Sequence, residues 1–263
     1  MKSIATKSGI SKYLTSPFDV EVFDTLKSSN LTAKDEIKRT GRTNFVIVAR
    51  EQTGGRGRFE RKFFSPKDCG AYFSAVITPK SEQTEYITPL CAVATANAIR
   101  RVCDKDAKIK WVNDVFVDGC KVSGILSEAS FDAETQSVAY VVVGIGVNVI
   151  EPEGGFDDET NIAGALVDDS DDANTLRCHI VADTVNRFMR DYERIPSMPH
   201  LADYRARSLL DGRHVEVHAG IETFEAQVIG IDDDFTLRVR LDSGEERNLA
   251  SGEVHIPSAQ LAE

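Results

Sequence analysis

The dipeptide Asp118-Gly119 sits between two β-rich runs, KIKWVNDVFV and CKVSGILSEAS, and constrains the chain more than any other local feature. Both residues accept positive φ, as a two-residue hairpin turn demands, so the flanking runs must fold back on each other as antiparallel strands. A third run, AYVVVGIGVNVI at 139–150, is apolar enough to form a buried strand. Two more, RTNFVIVAR (42–50) and GAYFSAVIT (70–78), lie upstream. Pro89 opens PLCAVATANAIRRVC, which reads as a helix because proline is tolerated in a first turn. A further helix is predicted from Asn174 as N-cap, since Leu176, Ile180, Val185, Phe188, Met189 and Tyr192 recur at helical spacing and so face a core.

The texture changes after about residue 208. HVEVH, TFEAQVIGI, TLRVRL, RNLA and VHI are short alternating runs separated by HAG, DDD, DSGE and SGE, the pattern of a small antiparallel barrel. The chain is therefore expected to divide near residue 207, into units 1–207 and 208–263. A length of 263 residues is enough for one sizeable core and a smaller second one. The formal net charge of −11 argues against nucleic acid as a partner, whose binding surface is usually a broad basic face. Cys69, Cys91, Cys103, Cys120 and Cys178 are odd in number and scattered, with no metal-ligand spacing, so they read as reduced thiols and no metal site is expected. The N-terminal MKSIATKSGISKYLTS lacks an apolar stretch long enough for a signal peptide, and no later run approaches a membrane span. The expectation is a cytoplasmic protein.

Against this acidic background, GGRGRFERKFFSP (54–66) concentrates Arg56, Arg58, Arg61 and Lys62 behind three glycines. Glycine lets backbone approach a ligand closely. Arginine supplies a fixed fork of donors for carboxylate or phosphate. A solvated basic loop would have the same composition. Neither GRGRF nor GIGVNV carries the third glycine of a dinucleotide fingerprint, and the lysine signature of a phosphate-binding P-loop is absent. These residues by themselves point to a small anionic ligand, one with phosphate, and leave its identity open.

Taken in order, KSSN (27–30), EQTGGRGRFERKFFSP (51–66), KWVNDVFVDGCKVSGILSE (110–128) and VVVGIGVNV (141–149) resemble the motifs of biotin–protein ligases. The resemblance runs from about residue 19 to 256. It implies an α+β fold: a mixed-sheet catalytic domain of the biotin/lipoate ligase kind, followed by a small SH3-like β-barrel. It also implies a reaction in which the carboxylate of biotin attacks the α-phosphate of ATP in the presence of Mg2+. The resulting biotinyl-5′-AMP is then attacked by a lysine of a biotin carboxyl carrier protein. Two anions must meet in the first step, so fixed positive charge and N–H donors are needed where charge builds up.

Site residues follow from the resemblance position by position. Ser28, Ser29, Asn30 and Gln52 would recognise the ureido ring of biotin. Gly55, Arg56, Gly57 and Arg58 belong to a loop that closes over the ligand, and Gly124 and Ile125 line the biotin pocket through backbone. Lys121 would reach the carboxylate and phosphate oxygens, and with Arg58 it is the expected catalytic pair. Arg56, Arg58, Arg61, Phe63, Trp111, Asn113, Lys121 and Asn148 would hold ATP, Asn148 beside the adenine. The chain departs from the family pattern at Ser29 (usually Thr), Val112 (usually Pro), Phe63 (often Trp) and Glu60 (usually Gly). Glu60 is the sharpest departure, because it adds a Cβ and a negative charge inside the loop, where it can pair with Arg58 or Arg61.

Some 18 residues precede the resemblance, too few for the DNA-binding helix-turn-helix of many bacterial relatives, so a ligase without repressor function is expected. The alternatives are a lipoate–protein ligase on the same core fold, whose own signature is not visible here, and a biotin- or nucleotide-binding protein without turnover. A homodimer through catalytic-domain sheets is possible within the family.

Overall fold

The computed structural model describes residues 5–79, 84–132, 134–157, 162–168 and 172–256; the end of the expected C-terminal unit, 257–263, lies outside them. A mixed seven-stranded sheet is built from β1 (Asp19–Phe23), β2 (Phe45–Ala49), β3 (Gly70–Ile77), β4 (Ala107–Lys110), β5 (Asp114–Val117), β6 (Cys120–Phe131) and β7 (Val138–Asn148). Its spatial order is β1-β2-β3-β7-β6-β5-β4. β1 and β2 are parallel and joined by the crossover helix α2 (Ser29–Thr40), while the other neighbours pair antiparallel. Asp118 and Gly119 take φ of 50° and 78° and turn β5 into β6, as their sequence predicts.

The two faces of the sheet are covered unequally. On one face lie α3 (Ile87–Cys103) and α4 (Ala173–Tyr192), over an apolar cluster that includes Phe73, Val143, Ile145, Leu90, Ile180 and Phe188. On the other face α2 covers one end only, where Ala33 and Ile37 pack on Phe45, Ile47, Val76 and Val142. Full burial of each such isoleucine or phenylalanine contributes about 1.5–3 kcal/mol. The remainder of that second face carries small residues and is where the site lies.

α4 starts at Ala173 with Asp172 as its N-cap, so the expected cap Asn174 lies inside the first turn. Its amide oxygen accepts from the Arg177 guanidinium at 2.6 Å instead, because a buried arginine needs an acceptor more than an exposed turn needs a cap.

A second, antiparallel sheet holds β8 (His214–Ala219), β9 (Glu222–Ile231), β10 (Leu237–Arg240), β11 (Glu246–Leu249) and β12 (Glu253–His255), in the order β11-β10-β9-β8-β12. It is joined to the first by more than its connecting chain. The Trp111 indole N–H donates to the Phe235 carbonyl at 2.9 Å, and the His200 ring, at the start of α5 (Leu201–Ala206), stacks on the Phe235 ring at 4.8 Å. The backbone of Arg207 and Leu209 bonds to Ile109 of β4. One apolar cluster includes Trp111 and Tyr204 as well as Val215, Val228 and Phe235. Among the described residues no helix is long and apolar enough to cross a membrane.

Candidate active site

Successive side chains of a strand point to opposite faces, so β7 splits cleanly. Val143, Ile145 and Val147 enter the helix-covered core, whereas Val142, Gly144, Gly146 and Asn148 face the other way. Antiparallel pairing sets Gly144 beside Leu126 and Ser74, and Gly146 beside Gly124 and Tyr72. The result is a shallow cradle with a floor of Gly124, Gly144, Gly146 and Ser74, continuing from the end of α2.

The glycines of GIGVNV are required by side chains rather than by a phosphate. A Cβ on Gly144 would lie 2.3 Å from Oδ1 of Asn30, and one on Gly146 would lie 2.3 Å from the Phe63 ring. Both distances are far inside van der Waals contact, so only glycine lets these two groups settle onto the sheet. Gly55 is needed in the same way, since a Cβ there would meet the Phe63 carbonyl oxygen at 2.3 Å. Gly57 has ordinary backbone, and a Cβ there would make only ordinary contacts with Arg61 at 3.6–4.0 Å, so it imposes no such demand.

One end of the cradle is a buried hydrogen-bond chain. Ser28 occupies the N-cap position of α2 but its hydroxyl makes no cap bond; it is buried, with 3% of its surface exposed. The Ser29 backbone N–H and hydroxyl both donate to Oε1 of Gln52, at 2.8 and 3.0 Å. Nε2 of Gln52 donates to the Ser65 hydroxyl, which donates to the Phe63 carbonyl. The Ser74 hydroxyl lies 2.7 Å from that of Ser29 and 2.6 Å from Oδ1 of Asn30. Nδ2 of Asn30 donates to Oε2 of Glu128 at 2.7 Å. The four residues expected to recognise a ureido ring thus share one small volume, with Gln52, Ser29 and Asn30 in a single network.

The other end is cationic. Lys121 pairs with Asp114 at 2.7 Å, and Asp114 stands opposite Gly124 in the β5–β6 ladder. Nη1 of Arg58 donates to Oδ1 of Asn113 at 3.2 Å, and the Asn113 amide in turn donates to Asp114 and to the Ile125 carbonyl. Burial lowers the pKa of Arg58 against the opposing pull of Asp114 and Glu253. Burial also lowers that of Lys110, whose register partner is Asp114 and which lies near Lys121. Asn148 stands two residues beyond Gly146 on the same face, so it belongs to this end. Its Oδ1 is shielded from solvent and has no hydrogen-bond partner among the described residues, which leaves it available to a donor on a ligand.

Not every expected residue reaches the cradle. Trp111 is 5% exposed, its N–H is taken by Phe235, and it joins the two sheets. Ile125 is expected to line the pocket through its backbone alone, and its side chain enters the helix-covered core. Arg56, expected at both substrates, contacts Glu128 at 3.2 Å and so groups with the hydrogen-bond chain. The Phe63 ring lies against Gly124 and Gly146, midway along the cradle. Ser65, Ser74, Lys110, Glu128, Gly144 and Gly146 also stand at this candidate site, and motif matching alone did not single them out.

Each loop arginine meets a protein acceptor, and none of these is Glu60. Nη2 of Arg58 donates to the Gly252 carbonyl at 3.4 Å, and Arg61 pairs with Glu253 of β12. Glu253 therefore does what the sequence left to Glu60. Phe59 and Glu60 both adopt left-handed backbone, φ 54° and 59°. That conformation costs a side-chain-bearing residue about 1–2 kcal/mol. Glu60→Gly would relieve it at an entropic cost of about 0.5–1 kcal/mol. The expected outcome is a loop that stays closed slightly more, read as slower tryptic nicking at Arg58, Arg61 and Lys62. Faster nicking would show that Glu60 itself holds the loop.

Among the described residues no group of three or more His, Cys, Asp or Glu side chains is arranged to hold a metal ion.

The profile of the biotin/lipoate A/B protein ligase family matches residues 22–148, the segment that contributes the cradle and its loop. Over 228 residues the chain is 30% identical to the bifunctional ligase/repressor BirA of Bacillus subtilis, covering 84% of this chain and 69% of that protein. It is 28% identical to the biotin–[acetyl-CoA-carboxylase] ligase of Mycobacterium tuberculosis over 65% of this chain and 64% of that one. The structure of the Aquifex aeolicus biotin protein ligase in complex with biotin and ATP superposes with a TM-score of 0.72, at 21% identity, covering 91% of this chain and 98% of that one.

Proposed function

The chain belongs to the biotin/lipoate A/B protein ligase family, among its biotin–protein ligases, and from that premise we propose that it is a biotin–[acetyl-CoA-carboxylase] ligase. It forms biotinyl-5′-AMP from biotin and ATP and passes the biotin to a lysine of a biotin carboxyl carrier protein in the cytoplasm. ATP enters with Mg2+ on its phosphates, the ion being part of the substrate.

The observation that carries this reading is the polarity of the cradle along β6. At the Glu128 end Ser29, Asn30, Gln52 and Ser74 offer neutral donors and acceptors suited to a ureido ring, and the carboxylate behind them, Glu128, is matched by Lys34 and Arg56. At Gly124, four residues or about 13 Å back along the strand, this lining gives way to Lys121, Lys110 and Arg58. A small acid with a polar, uncharged head fits that span with its carboxylate at the cationic end.

In the first step a carboxylate oxygen of biotin bonds to the α-phosphorus as the bond to pyrophosphate breaks. Lys121 and Arg58 stand where the negative charge of both reactants is gathered, and act by electrostatic stabilisation. In the second step a carrier amine attacks the acyl carbon, AMP leaves with the bonding electrons, and the amine loses a proton. The loop over the cradle shields the acyl-adenylate from water between the steps.

The test is ATP–pyrophosphate exchange with biotin, desthiobiotin and lipoate. Biotin-dependent exchange is expected, and exchange with lipoate but not biotin would overturn the reading. A second expectation concerns retention of the adenylate. Arg58 ties the loop to Asn113 and to the second sheet, and loss of two modest hydrogen bonds weakens closure by about 10-fold. Arg58→Gly should therefore label an added bystander protein more, relative to the carrier, than the wild type does. An unchanged ratio would show that Arg58 does not hold the intermediate.

A further inference from the structure

Glu128 closes the long β6 motif, yet the reaction as described gives it no part. Its carboxylate is the one charged acceptor in the ureido network, and it joins three elements that are distant in sequence. Oε2 accepts from Nδ2 of Asn30 at 2.7 Å, and Oε1 accepts from Lys34, one helical turn further along α2, also at 2.7 Å. Nη2 of Arg56, from the loop, lies 3.2–3.3 Å from both oxygens. Burial pushes the Glu128 carboxyl up, but the hydrogen bonds from Lys34 and Asn30 outweigh it and hold the group below the ordinary glutamate range. The acceptor stays ionised at neutral pH.

We infer that Glu128 is a positioning residue that sets the donor and acceptor polarity of the ureido-recognising network and seats the loop beside it. The inference rests on the reading of this cradle as a biotin site. An amide side chain has two orientations of nearly equal shape, and its partners decide between them. A carboxylate accepts only, so Asn30 must turn Nδ2 toward Glu128 and Oδ1 toward Ser74. The single hydroxyl proton of Ser74 is then shared between Oδ1 of Asn30 and Oγ of Ser29, whose own proton goes to Oε1 of Gln52. Gln52, fixed from the other side by Ser65, offers Oε1 to Ser29. Asn30 and Ser74 thus have their roles decided at the Glu128 end, and Gln52 has its role decided at the Ser65 end. With an apolar residue there, Asn30 can flip and Ser74 can reverse, and the network no longer presents one pattern to the ligand.

The experiment measures pyrophosphate release by the full chain against biotin and against ATP, for wild type, Glu128→Gln and Glu128→Leu. Removing a hydrogen bond to a charged group lowers affinity by about 10- to 100-fold. Expected is a KM for biotin raised about 10-fold in Glu128→Gln and about 100-fold in Glu128→Leu, with kcat at saturating biotin and the KM for ATP within about 3-fold of wild type. Inhibition constants for desthiobiotin, which keeps the ureido ring, should rise by the same factors, and those for octanoate, which lacks it, should not. Equal losses against biotin and ATP, equal losses for both inhibitors, or an unchanged KM for biotin would each overturn the inference. If Glu128→Leu fails to fold, Glu128→Gln, nearly identical in shape, carries the test through the inhibitor pair. A wild-type chain that releases no pyrophosphate with biotin would refute the ligase reading instead, and desthiobiotin binding to Glu128→Gln by calorimetry would still decide the role of Glu128.

Discussion

Lys121→Ala is expected to slow biotinyl-adenylate formation by about 10²–10³, the usual loss when one group aimed at developing charge is removed. Here two effects act together. The ammonium is lost from the end of the cradle where a carboxylate and a phosphate must approach each other. Its partner Asp114, 2.7 Å away in the structure, then faces the same anions with the Asn113 amide as its remaining side-chain hydrogen bond among the described residues. Because the ammonium acts on charge that grows in the transition state, the loss should fall on kcat for adenylate formation, with the KM for biotin changed by less than about 3-fold. Lys121→Arg keeps the charge and should retain more activity than the alanine variant. Rapid-quench measurement of pyrophosphate release checks this, and an unchanged rate in Lys121→Ala would make Lys121 a partner of Asp114 and nothing more. Transfer from preformed adenylate to the carrier should be affected less, since no phosphate–phosphate bond is broken there.

Gly144→Ala is expected to abolish useful biotin affinity. A Cβ at this position lies 2.3 Å from Oδ1, 2.9 Å from Cγ and 3.0 Å from Nδ2 of Asn30, so the whole amide must leave. Asn30 is 4% exposed and bonded to Ser74 and Glu128, and its displacement leaves at least one buried group without a partner. Each such group costs about 1–3 kcal/mol. A stability loss of that size and a rise of about 100-fold or more in the Kd for biotin should appear together. Gly146→Ala makes the informative contrast. Its Cβ would meet the Phe63 ring, also at 2.3 Å, but Phe63 belongs to a surface loop that can lift. That variant should bind biotin weakly while unfolding close to the wild-type temperature. Thermal unfolding and calorimetric titration of both proteins provide the check, and equal destabilisation of the two would contradict the distinction between a buried amide and a movable ring.

Local chemistry made much of the fold legible. The φ > 0 demand of a two-residue turn located the β5–β6 hairpin from Asp118-Gly119 alone, and apolar runs located β2, β3 and β7 to within a few residues. The first turn of α4 was misread because Asn174 is a good cap by type. Its true role depends on a buried Arg177 three residues on, whose burial no local rule reveals. At the site, the ordered motifs brought Ser29, Asn30, Gln52, Arg58 and Lys121 into view as a set. They gave Trp111 a role at ATP, although the second sheet takes its indole N–H.

From sequence alone come the strand and helix content, the hairpin, the basic glycine loop and the family, because each rests on neighbours in the chain or on motif order. Tertiary structure alone decided which residue answers which charge. Asp114 for Lys121, Glu128 for Asn30 and Arg56, and Glu253 for Arg61 are pairings between different elements of the fold, the last spanning 192 positions. It alone also showed why GIGVNV needs its glycines, which make room for Asn30 and Phe63. The physical reason is register: a shift of one residue in β7 would turn Gly144, Gly146 and Asn148 into the core and bring Val143, Ile145 and Val147 onto the cradle. That register is set by the apolar clusters on the two faces of the sheet, not by any residue of the motif.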